Sequence, residues 1–235
     1  MTVYPLPTNI IPFLFMGVSV SLFGIRGLYL YRRRKSPLSF YYGLGALFIG
    51  ISCLFYSVPF FFTHNEQYLK IWTSVGDQFY FISILAMTRL IWYLGFNKQI
   101  SFNWILIPYL LLIIGCNLAV LYSWSSVHYE FNADHVIYPV SQLASWFFAA
   151  MSTAYVFVGI LTFKQARTFN NLRQKIRLNS IGLAFFLGGI IAIYNYLFMQ
   201  GSNNSSLGIF GYILIASVLF IGLFIISRRK VTIKN

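Results

Sequence analysis

Charge is what this sequence has least of. Only 9% of its 235 residues are charged and four of those are acidic, where a soluble domain carries about 25% charged residues. With 58% of the chain hydrophobic and 20% aromatic, so few charges could not cover a water-exposed surface. A water-soluble fold is therefore excluded. The net charge of +13 does not imply a nucleic-acid partner in such a context, and none is expected. Cysteine is nearly absent too: Cys53 and Cys116 both fall inside apolar runs, as packing residues do, and no disulfide is expected. No histidine lies deep in an apolar run, which excludes a transmembrane haem ligand pair. Glycine-rich phosphate loops, zinc-protease helices and serine-nucleophile turns are missing. Residues 207–227 hold no lysine for a retinal Schiff base. With no carboxylate pair inside the apolar runs, an enzyme is not expected, and neither is a cofactor.

What the chain has is long apolar runs. Crossing about 30 Å of hydrocarbon takes roughly 20 residues at 1.5 Å each. Runs of that length occupy about 10–31, 39–62, 69–96, 100–124, 136–163, 178–199 and 207–227. The last two are separated by the polar stretch 200–206. The runs are continuous rather than alternating, which excludes a membrane barrel. They predict an all-α, polytopic membrane protein: a single seven-transmembrane helix bundle with short loops and no soluble domain. Pro12, Pro59, Pro108 and Pro139 fall near the expected helix ends, where a missing backbone donor costs least.

The cations set the expected orientation. Of 17 Lys and Arg, 14 fall in four segments: 32–35, Lys98, 164–177 and 228–234. With seven spans and the N-terminus outside, all four face the cytoplasm, as does the C-terminus. Arg26 and Arg89 sit close enough to that face to snorkel to it, and Lys70 is the exception. Glu66, Glu130 and Asp134 fall in outer loops. No basic residue precedes the first run, so a retained helix is expected rather than a cleaved signal peptide. The plan places the protein in a plasma membrane or a bacterial inner membrane, with lipid as its main partner.

An ionisable group at mid-bilayer costs about 2.5–3.5 kcal/mol, which makes Asp77 the costliest residue in the chain. Arg89 lies about 18 Å further along the same helix and about 120° around it, out of reach of a direct pair. Asp77 and Gln78 are accordingly expected to face a polar pocket open to the outside. Gln142 and Ser145 early in the fifth run, and Tyr194, Asn195 and Tyr196 late in the sixth, lie at the same depth. The candidate binding set for a small molecule arriving from outside is Asp77, Gln78, Gln142, Tyr194 and Asn195. The basic residues Lys164, Arg167, Arg173, Lys175 and Arg177 are the candidate contact face for a cytosolic or membrane protein partner. A His-x-Glu pattern recurs at His64–Glu66 and at His128–Glu130, and His135 follows Asp134. These five residues (His64, Glu66, His128, Glu130 and His135) are weak metal candidates, able to act only if their loops meet. Spacing of i and i+2 matches no metal-binding signature, so no metal site is expected.

The run 172–177, Leu-Arg-Gln-Lys-Ile-Arg, leads directly into the sixth span. Together with seven spans, an outer N-terminus and short loops, it resembles the seven-transmembrane N-terminal sensory modules of bacterial membrane histidine kinases and related cyclases. The resemblance implies sensing at the outer face or within the bundle, with a signal passed inward. No kinase or cyclase domain follows the last span here, so a receptor-like protein signalling through a separate partner is expected. A small-solute transporter and a non-catalytic membrane subunit of a larger complex are the alternatives.

Overall fold

The computed structural model describes residues 10–96, 99–131, 136–137 and 140–198. Six long helices make up nearly all of it: α1 (Ile10–Arg34), α2 (Pro37–Ser57), α3 (Glu66–Ile91), α4 (Asn103–Ser123), α5 (Gln142–Ala166) and α6 (Leu172–Phe198). All six are long and apolar enough to cross a membrane, and the chain is a multi-pass membrane protein on that basis. The expected seventh run, 207–227, lies outside the described residues.

Local chemistry sets the helix ends. The α1–α2 turn is only Lys35-Ser36: Lys35 adopts a left-handed conformation (φ 52°), and Pro37 opens α2 with its fixed backbone angle. Pro59 removes a backbone donor just past Ser57, and the chain there tightens into a 3-10 turn over Val58–Phe61. Asn65 caps α3, its side-chain oxygen accepting from the N–H of Gln67 at 3.0 Å. The fifth helix starts later than expected. Val136–Ile137 pairs antiparallel with Glu130–Phe131 as two short strands, and the helix opens where Ser141 caps Ala144. The β-branched pair at 136–137 suits a strand. The sixth helix starts earlier, at Leu172, so Arg173, Lys175 and Arg177 all ride on its first two turns.

Glycine brings the backbones of two hairpins together. Gly17 and Gly24 on α1 face Gly43 and Gly50 on α2, so closely that a methyl group on Gly24 would lie 2.4 Å from the Leu47 backbone nitrogen. Gly159 on α5 meets Gly182 and Phe186 on α6 in the same way: a methyl group added to Gly159 would lie 2.8 Å from the Gly182 carbonyl oxygen. In lipid, where apolar side chains gain nothing by leaving solvent, such close backbone approach is a main source of helix association. Helix α3 lies at the centre, packed on α2, α4 and α5, and shares with α5 the largest sets of buried residues, which on α3 include Ile84, Met87 and Leu90.

Candidate functional site

Asp77 sits on the buried face of α3. Its one hydrogen bond among the described residues comes from the Tyr56 hydroxyl of α2, at 2.5 Å, and no cation lies within ion-pair distance of it there. The Tyr56 ring lines an apolar cavity of about 100 Å³ walled by residues of α1, α2, α3, α5 and α6, among them Tyr80, Tyr155, Phe185 and Tyr196. Tyr56 thus touches the carboxyl on one side and the aromatic cavity on the other.

Below Tyr56 the tyrosines form a descending series of interhelical bonds. Ser152 gives its proton to the Phe148 carbonyl at 2.8 Å, so Tyr80 of α3 donates to Ser152 of α5, also at 2.8 Å. Tyr155 of α5 donates to Ser83 of α3, and Ser83 to the Gly45 carbonyl of α2, at 2.8 and 2.7 Å. Thr162 donates to the Val158 carbonyl, which makes Tyr42 of α2 the donor to Thr162. Each aromatic hydroxyl ends on a Ser or Thr that passes its own proton to a helix carbonyl, so every member is satisfied where water is absent. The series runs from Asp77 to within two residues of Lys164.

Two recesses adjoin Asp77. One, about 40 Å³, lies toward the non-basic end and includes Lys70, Thr73, Ser123 and Ser141 in its wall. The other is a groove of about 350 Å³ between α3 and α4, lined by Ser74, Gln78, Asn117 and Trp124 among others. Gln78 is exposed and donates to Asn117 Oδ1 at 2.9 Å. Of the sequence candidates, the structure brings Asp77 and Gln78 together. It places Gln142 exposed at the first turn of α5, and Tyr194, exposed, and Asn195, half-buried, on α6. None of these three lines the Asp77 recesses. Tyr196 enters the aromatic cavity and stacks on Phe148, ring centroids 4.9 Å apart. Tyr56 and Asn117 complete the site. Neither had a sequence signal, since tyrosine occurs 17 times in the chain and nothing local marks Asn117.

The loops after α2 and α4 do meet. Glu66 Oε1 lies 2.9 Å from His128 Nδ1 and 3.0 Å from Lys70 Nζ, and it accepts the Tyr129 N–H at 3.3 Å. Hydrogen bonding from Lys70, with a smaller contribution from His128, holds the Glu66 carboxyl below its ordinary range. Lys70 also donates to the Trp124 carbonyl at 3.2 Å, capping the end of α4, which gives this cation a structural partner away from the basic end. Tyr129 closes over the same spot, donating to the Leu69 carbonyl at 3.2 Å and bonded to Thr73. Among the described residues no group of three metal-ligating side chains exists. His64 is exposed; the Glu130 side chain and His135 lie outside the described residues.

At the basic end, Lys164, Arg167, Arg173 and Lys175 are exposed and Arg177 is half-buried, clustered around the α5–α6 turn. The Arg89 guanidinium lies 4.4 Å from the ring centroids of both Trp92 and Phe102, a two-sided cation–π seat. Cys53 and Cys116 are buried and unbridged. Comparison of the chain with protein-family models, with curated proteins and with solved structures gives no match.

Proposed function

We propose that the chain is a receptor-like, sensory membrane protein of seven spans, the seventh being 207–227, with its N-terminus outside and its C-terminus in the cytoplasm of a plasma or bacterial inner membrane. The segregation of cations supports this orientation, and the plan is that of the sensory modules it resembles. The observation that carries the reading is the placement of Asp77. A carboxyl in the outer half of the bundle, held by one hydroxyl, is a poised group: a ligand or proton that changes its charge changes what Tyr56 donates to. Tyr56 in turn helps wall the cavity on which α1, α2, α3, α5 and α6 converge. The tyrosine–hydroxyl series then links α2, α3 and α5 down to Thr162, beside the Lys164 to Arg177 face that a separate partner would read. A ligand moves such an equilibrium only through its differential affinity for two states, and Asp77 supplies a group whose interactions differ between them.

The test places an environment-sensitive label on Thr168→Cys at the α5–α6 turn, in membrane vesicles. Asp77→Asn and Tyr56→Phe are each expected to change the label's accessibility, while Gln142→Ala, at the exposed start of α5, leaves it unchanged. Accessibility identical in all the variants overturns the reading.

A further inference from the structure

We infer that the α3–α4 groove beside Asp77 binds a single-chain amphiphile with a cationic amine head, taken from the lipid side of the bundle. The inference deepens the sensory reading and rests on Asp77 as the group at which the signal enters.

Among the described residues that line the groove, Asp77 is the one charged side chain. Asp77 receives one hydrogen bond, from Tyr56, although a carboxylate can accept about four. Gln78 spends an amide N–H on Asn117 at 2.9 Å, which leaves its carbonyl oxygen as an acceptor. One of the two Asn117 amide N–H groups is spent on the Ile113 carbonyl at 3.0 Å. A head group that donates several hydrogen bonds and carries positive charge satisfies this set, whereas an anionic head would add a further acceptor beside a carboxyl. A charge-assisted bond of this kind is also among the stronger ones available in a low-dielectric site.

The rest of the groove is apolar and faces sideways. Ile71, Val75 and Leu121 line it and are 53%, 37% and 68% exposed, on helices whose surroundings at this depth are acyl chains. Gln78 is exposed among them, so the polar set is reachable from the hydrocarbon. From the end of the bundle the approach is narrower. The recess on that side is about 40 Å³ against about 350 Å³ for the groove. It lies beside Tyr129, which is tied to Leu69 and Thr73 across the top of α3. The ammonium of Lys70 does not fill the place of the head group, being held by Glu66 and the Trp124 carbonyl. The geometry thus matches a molecule whose chain lies along α3 and α4 and whose amine reaches inward to Asp77.

The experiment uses the full chain in phosphatidylcholine nanodiscs and three photoactivatable probes of equal chain length: a diazirine-bearing dodecylamine, the matching alcohol and the matching carboxylate. Cross-linked peptides are mapped by mass spectrometry. The amine is expected to label α3 and α4 around the groove saturably, with competition by unlabelled dodecylamine. Asp77→Asn is expected to weaken that labelling by about tenfold or more, the effect of losing one charged hydrogen bond. Val75→Phe narrows the groove while leaving Asp77 in place, and is expected to reduce labelling too, so the result does not depend on one variant's folding. Equal labelling by amine, alcohol and carboxylate, or wild-type labelling in both variants, overturns the inference. The two readings fail separately. Amine labelling without any change at the Thr168→Cys label refutes the sensory coupling alone, and coupling without saturable amine labelling refutes the amphiphile alone.

Discussion

Replacing Gly24 by alanine sets two opposing effects against each other, and the structure gives the sign. In a helix interior alanine is favoured over glycine by about 1 kcal/mol, because glycine loses more backbone freedom on folding. Judged on propensity alone, the substitution would stabilise. At Gly24, however, the new methyl carbon would lie 2.4 Å from the Leu47 nitrogen and 2.6 Å from its Cα. Both are backbone atoms of α2, so relief requires the two helices to separate by close to an ångström. Forcing such overpacking costs about 1–3 kcal/mol, and the separation also weakens the neighbouring Gly27–Gly43 and Gly17–Leu54 contacts along the same seam. The net expectation is a destabilisation of about 1–2 kcal/mol. Gly95 is the control: its added methyl would meet the Leu161 side chain at 3.2 Å, which can rotate away, so alanine there is near neutral. Reversible unfolding in mixed micelles of mild detergent and dodecyl sulfate, followed by circular dichroism, measures both. Gly24→Ala equal to or more stable than the wild type would refute the view that backbone contact holds α1 to α2.

Arg89→Leu removes a guanidinium seated against two rings, and a loss of about 0.5–2 kcal/mol is expected in the same unfolding assay; Arg89→Lys, which keeps the charge but not the flat face, falls between the two. For Glu66 the native carboxyl titrates below its ordinary value because of Lys70 and then His128. Its contribution is therefore present at pH above the ordinary carboxyl range and is lost as the pH falls through the lowered native value. The thermal stability of the wild type should exceed that of Glu66→Gln at neutral pH and converge with it in acid; a difference that persists or grows in acid counts against this ion-pair account.

The architecture was largely legible because hydrocarbon imposes a harsh and local rule. Every backbone donor must be satisfied within its own segment, so run length and charge scarcity mark helices one at a time. Every described helix starts or ends within about one helical turn of the run expected for it, and the two starts that miss by more, those of α5 and α6, have local causes. Val136 and Ile137 are apolar enough to extend a run but pair as strands, and the basic residues 173–177 interrupt an apolar run without interrupting a helix. Asp77 stood out for the same reason, as a charge where charge is expensive.

The chain alone thus determined that lipid is its surroundings, where its helices lie, and which carboxyl needs a partner. It could not determine the partner. Tyr56 is 21 positions from Asp77 and Asn117 is 39 from Gln78, and nothing in a sequence with 17 tyrosines singles out the ones that meet. Likewise, depth along the helices put Gln142 and Asn195 level with Asp77 but said nothing about rotation, and rotation about the helix axis is what turns Gln142 outward and leaves Asn195 away from the carboxyl. Rotation is fixed by the close glycine contacts and hydroxyl bonds between helices, and those exist only once the bundle has assembled.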